Sequence, residues 1–208
     1  AAFQLRFAQE RYAEAAEACT RAVEGDLGYV PHWLNRGNAL ARLGYAQGSR
    51  GEDPADTFAR AVADFDRAAA LDPANPLPWH MRGQARVNAC FFVEDRGQDP
   101  VPLLQAAVAD YDRVLELDPK HAGAWQSRGG AKGNWAMYAM RRGEDAGPRF
   151  EEADADLSRG IELAPDADEG WIARGGVRVN RGNFLTNRGR DPLPTYADAI
   201  EDLTQALE

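Results

Sequence analysis

The chain has 208 residues and a formal net charge of −9. That balance argues against a nucleic-acid backbone or an anionic membrane surface as the main partner, because both call for net positive faces. No apolar run approaches the roughly 20 residues of a spanning helix, and the two cysteines, Cys19 and Cys90, read as reduced thiols packed in helix faces, which fits a cytoplasmic compartment.

Taken in order, residues 1–25 read as helical, with a weak break near Gln9–Arg11 and a stop at Gly25. Ala15, Ala18, Cys19 and Ala22 recur there at helical spacing. A helix is predicted over 31–50, opened by Pro31 in its first turn, where a missing N–H costs nothing. A second runs over 54–71 and stops at Asp72-Pro73, with an inward face of Phe58, Ala61, Val62, Phe65, Ala68 and Ala69. The pattern continues with helices over 77–96 and 100–117, then 123–142 and 148–163, then 169–188 and from 192 to the end.

The pattern is a strict repeat. Trp33, Trp79, Trp125 and Trp171 stand 46 residues apart, and Arg36, Arg82, Arg128 and Arg174 keep the same step. So do Gly37, Gly83, Gly129 and Gly175. A fixed period of this size signals an array of stacked units with no single centre. The units expected are a truncated leader over 1–27, then 28–73, 74–119, 120–165 and 166–208, the last cut before its Leu-Asp-Pro stop. Both ends fall inside a repeat, so the chain is expected to be a piece of a longer protein.

These residues resemble the tetratricopeptide repeat (TPR) family, whose signature runs W-x2-L-G-x2-Y, then A, F and P. Trp79 and Gly83 supply the first half; Ala61, Phe65, Ala68 and Pro73 supply the second, followed one period later by Ala107, Tyr111, Val114 and Pro119. The resemblance implies an all-α, right-handed superhelical solenoid of antiparallel helical hairpins. Two features depart from it. Arginine replaces the leucine before the glycine in all four units, and the unit is 46 residues where the family has about 34. The extra residues fall between the two helices of each unit. Shared between them, they lengthen each helix by about 9 Å at 1.5 Å per residue. Phe7 to Tyr12 lacks the inserted turn, so an ordinary-length hairpin is expected to lead a tall array.

The arginine ladder has aspartates in step with it, namely Asp64, Asp110, Asp156 and Asp202. The arginines are expected to pair with these carboxylates or with loop carbonyls near the Asp-Pro stop, because a half-buried unpaired guanidinium is costly. The alternative is that they bind an acidic ligand. An Arg-Gly-x-Asp turn recurs at Arg50–Asp53, Arg96–Asp99, Arg142–Asp145 and Arg188–Asp191. It reads as a glycine helix stop followed by an aspartate N-cap; a row of binding loops is the other reading.

Chemistry is thinly supplied. Three histidines and no His/Cys/Asp cluster at ligand spacing give no metal site and no catalytic residue. Gly129-Gly130-Ala131-Lys132-Gly133 fails the phosphate-loop spacing and sits inside a helix. No enzyme activity and no cofactor are expected.

A binding surface remains. By resemblance the opening helices line a concave groove that takes an extended peptide or a partner's helix. Its lining would hold Asn38, His80, Gln84, Asn88, Gln126, Asn134 and Asn180, with Leu34, Ala41, Arg42 and Val87 beside them. Amides of this kind pair with a partner's backbone whatever its side chains, or else with neighbouring repeats or water. Tyr45, Phe91, Met137 and Tyr138 extend the groove or pack the tall hairpins. Leu34 stands where a chaperone-tail clamp has lysine, so chaperone C-termini are not expected as ligands. The function expected is a protein-interaction scaffold. The alternative is a structural spacer that self-associates end to end.

Overall fold

A computed structural model describes residues 2–207, with side chains from residue 8 onward. Its described residues form helices and turns only. The helices are α1 (Ala2–Gly25), α2 (Val30–Gly48), α3 (Ala55–Leu71), α4 (Pro76–Asp95), α5 (Val101–Leu117), α6 (Ala122–Arg141), α7 (Gly147–Leu163), α8 (Asp168–Asn187) and α9 (Leu193–Gln205). They gather into two compact units, 1–117 and 118–208.

In the first unit α2 packs on α1, α3 and α4, and α4 packs on α3 and α5. In the second, α6 packs on α7 and α8, and α8 packs on α7 and α9. Opening helices of 19–20 residues confirm that the hairpins are tall. What lets them close is the alternation of glycine and bulky side chain. A Cβ on Gly37 would lie 2.7 Å from the Phe65 ring, and one on Gly129 the same distance from Leu157 Cγ. The cores follow: Phe65, Ala61 and Ala68 of α3 are sealed with Leu40 of α2, and Phe150, Ala153 and Leu157 of α7 with Val177 and Phe184 of α8.

The inserted turns behave as the sequence implied. Gly51, Gly97, Gly143 and Gly189 all have φ between +66° and +81°, the left-handed region that glycine enters without strain. Asp53, Asp99, Asp145 and Asp191 each accept the backbone N–H two residues on, at 2.9–3.1 Å. The arginine does more than the sequence suggested. Arg96 donates to the Glu52 carbonyl at 3.0 Å, and Arg188 to the Gly143 and Glu144 carbonyls at 3.2 and 3.0 Å. Each ties its turn to the turn one repeat earlier.

The leading hairpin does not form as expected. α1 runs unbroken through Gln9–Tyr12, because that stretch has no glycine or proline and every residue in it is compatible with a helix. Ala1, at which the truncated opening helix was expected to begin, lies outside the described residues.

Candidate functional site

The arginine ladder is an internal brace. Nε and Nη2 of Arg36 reach the Asp64 carboxylate at 2.8 and 2.6 Å, and those of Arg128 reach Asp156 at the same distances. Arg174 reaches Asp202 at 3.0 and 2.6 Å, and Arg82 bonds Asp110 and Asp66. Asp64, Asp110, Asp156 and Asp202 are all buried. Each arginine lies over the tryptophan three residues before it, 4.6–5.0 Å from the ring centroid, a favourable cation–π arrangement. The Asp64 bond raises Arg36 above its usual range against the pull of burial. Burial would lower Arg82, but its bonds to Asp110 and Asp66 raise it overall. The ladder is thus spent on the fold, and the acidic-ligand alternative for it falls. The tryptophans cap loops as well: Nε1 of Trp33, Trp125 and Trp171 donates to a carbonyl six residues back at 2.9–3.1 Å.

On the opening helices of the first unit, Asn38, Tyr45, His80, Gln84 and Asn88 line one cavity of about 470 Å³. Its floor is apolar, with Ala41, Phe65, Met81 and Ala85, and Tyr12 of α1 closes one side. Asn38 accepts from Arg42 at 3.3 Å, and Gln84 donates to the Asn88 carbonyl at 3.2 Å. The amides are therefore oriented, with the Asn38 and Asn88 nitrogens as the ends left to donate. His80 lies 5.6 Å from the Tyr111 ring.

Among solved structures, TTC0263, a thermophilic TPR protein of Thermus thermophilus, matches with a TM-score of 0.55 at 20% identity, over 97% of this chain and 88% of that one. A crystal structure of MamA matches at 0.54 and 16% identity, over 94% and 86%. MamA 41-end from Desulfovibrio magneticus RS-1 gives 0.51 and 17%, over 96% and 93%. The chain has the TPR fold. No family model and no curated protein matches the sequence.

Other residues expected in the TPR groove are placed differently. Leu34 and Val87 are buried, Leu34 in the first unit's core. Gln126 is wedged between hairpins: a Cβ on Gly160 would lie 2.7 Å from its Cγ, and one on Gly170 2.8 Å from its Nε2. That nitrogen is buried with no hydrogen-bond partner among the described residues. Asn180 donates to the Met137 sulfur at 3.2 Å, and Asn134 is half-buried. Met137 packs against the second unit's core. Tyr138 carries the Arg142 guanidinium 5.8 Å from its ring centroid. Phe91 is exposed; Tyr45, 52% exposed, still meets Phe92 edge-on at 5.7 Å.

The structure also opens a site that the groove reading missed. In the first unit no Cα of the closing helix α3 lies within 8 Å of a Cα of α5, though both helices pack on α4. Between them lies a cleft of about 550 Å³. Its floor is the stacked pair Phe58–Phe92, centroids 6.0 Å apart. Ala59, Val62, Ala89 and Leu103 form its walls, and Arg86 and Arg96 also line it. The second unit has the corresponding ring pair, Phe150–Phe184, also at 6.0 Å. There the positions that correspond to the cleft's lining carry ion pairs, Arg178–Asp154 at 2.6 Å and Arg181–Glu151 at 2.9 Å. The signal lay in every second repeat. Ala59, Val62 and Ala89 stand where Glu151, Asp154 and Arg181 stand two periods later.

Among the described residues no group of three or more His, Cys, Asp or Glu side chains could hold a metal ion, and no helix is long and apolar enough to cross a membrane.

Proposed function

We propose that the protein is an interaction scaffold whose first unit holds an extended peptide in the groove of α2 and α4. The observation that carries this is the convergence of Asn38, Gln84 and Asn88 over one apolar floor. Oriented amides supply sequence-tolerant bonds to a peptide backbone, and the floor of Phe65, Met81 and Ala85 takes one apolar side chain. The second unit's Asn180 is assigned no contact, because it is already engaged by Met137. A non-enzymatic role is part of the same reading.

The test is selection of peptides from a displayed random library. Affinities are then compared between the native chain and the triple variant Asn38→Ala, Gln84→Ala, Asn88→Ala. At about 1 kcal/mol per hydrogen bond, the triple variant loses roughly a hundredfold in affinity. Peptides that bind both proteins equally would remove the groove from the account. A second reading, end-to-end self-association, is favoured by the exposed Leu193, Ile200 and Leu207 on and just after α9; a solution mass that does not change with concentration eliminates it.

A further inference from the structure

The cleft between α3 and α5 differs from its second-unit counterpart in one chemically specific way. Arg178 divides its guanidinium between two carboxylates. Nη1 bonds Asp202 at 2.9 Å, while Nε and Nη2 face Asp154 at 2.6 and 3.4 Å. Arg86 occupies the same repeat position in the first unit. Its Nη1 bonds the Asp110 carboxylate and the Ala106 carbonyl. Val62 stands in the place of Asp154, so among the described residues the Nε–Nη2 edge of Arg86 has no carboxylate in that place. Arg86 lines the cleft, and its side chain is 17% exposed. A half-buried guanidinium edge in a cleft that two phenyl rings also line is a receptor for a carboxylate, which guanidinium binds in bidentate fashion.

We infer that this cleft binds a single-chain aliphatic carboxylate, whose carboxylate takes at Arg86 the position that the Asp154 carboxylate takes at Arg178. The dimensions suit such a ligand. From Arg86 to Arg96 the cleft follows α4 for about 15 Å at 1.5 Å per residue, a length matched by an extended chain of a dozen carbons. The volume of about 550 Å³ lies within the usual range of small-molecule sites. Phe58, Phe92, Val93 and Leu103 give the chain an apolar bed. The second unit excludes the same ligand twice over, since Asp154 fills the edge of its arginine and Arg181 and Glu151 pair at the positions where the first unit has the cleft-lining Ala89 and Ala59.

The test uses the whole chain and dodecanoate at monomeric concentrations, followed by calorimetry, with dodecanol and dodecyltrimethylammonium as neutral and cationic probes of equal length. Val62→Asp gives Arg86 an internal partner in the arrangement the second unit already accommodates. It is expected to weaken dodecanoate by about tenfold or more, while Val62→Ala stays within about threefold of native. Dodecanol is expected to bind at least about tenfold more weakly than dodecanoate, and the cation not measurably. Should Val62→Asp fail to fold, as judged by circular dichroism, the double variant Ala59→Glu, Ala89→Arg closes the cleft by copying the Glu151–Arg181 pair and is expected to abolish binding. Equal binding of the three probes, no binding of dodecanoate to the native chain, or undiminished binding to the closed cleft overturns the inference. The groove variant Asn38→Ala, Gln84→Ala, Asn88→Ala leaves dodecanoate binding unchanged, so the two sites are tested separately.

Discussion

The two units share one plan and finish it differently. Phe58–Phe92 and Phe150–Phe184 are ring pairs at equivalent positions, with centroids 6.0 Å apart in both, stacked in the first and tilted in the second, and Arg86 and Arg178 share one repeat position. In the second unit Asp154, Glu151 and Arg181 complete the array of charges; in the first Val62, Ala59 and Ala89 leave an apolar cleft. Repeat proteins hold the fold with residues that recur in every unit and are free to vary the remainder. Here the brace recurs, and what fills the space beside it does not.

The sharpest way to break this comparison is to cut the brace in each unit. Asp110→Ala takes the carboxylate from Arg86 and leaves Arg82 with Asp66; Asp202→Ala takes it from Arg174 and leaves Arg178 with Asp154. Urea denaturation is expected to show a loss of about 3–5 kcal/mol for each, as for other broken buried pairs, and a larger loss when Asp154→Val is added to Asp202→Ala. No further loss on adding Asp154→Val would mean that Asp154 does not share the load.

Next in size is a pH effect confined to the first unit. Burial pushes the Cys90 thiol up to about 12, and the residue two periods on is Gly182. Above the ordinary thiol value of about 8.5 the unfolded chain ionises this group and the folded chain does not. Its contribution is therefore complete below that value and is lost as the pH climbs toward about 12. The native chain should lose up to about 1.4 kcal/mol more per pH unit there than Cys90→Ala does. Parallel curves would refute the assignment.

Smaller again is the reverse exchange, Asp154→Val. Burial would lower Arg178, but the bond to Asp154 raises it overall, and both side chains are about one-fifth exposed. A cost of about 1 kcal/mol is expected after screening. The smallest effect belongs to the outer pair: Glu151→Ala with Arg181→Ala should cost no more than about 0.5 kcal/mol, because Glu151 is largely in water. Combined with Asp154→Val, it should open the second cleft to dodecanoate; failure to do so would show that more than these side chains separates the units.

Much of this was legible in the sequence because it recurs. The 46-residue step located the arginines and their aspartates, and glycine at each inserted turn announced a positive φ. What recurs only once, or not at all, was harder to read. The continuity of α1 depends on the lack of a breaker in Gln9–Tyr12, which resemblance to a shorter repeat obscured. The burial of Leu34 and Val87 and the wedging of Gln126 depend on the rotational phase of each helix. A period fixes spacing but leaves that phase open by a residue either way. The cleft is written in the difference between alternate repeats, at Val62 and Asp154 above all, and differences are invisible to a search for sameness.

One measurement addresses the central claim most directly. A selected peptide would be titrated into isotopically labelled protein while the side-chain amides of Asn38, Gln84 and Asn88 are followed by NMR. Binding in the groove shifts these amides together to saturation and leaves the Phe92 ring and the Arg86 guanidinium unmoved. Shifts centred on Arg86 and Phe92, with the groove amides silent, would place peptide binding in the cleft and contradict the account.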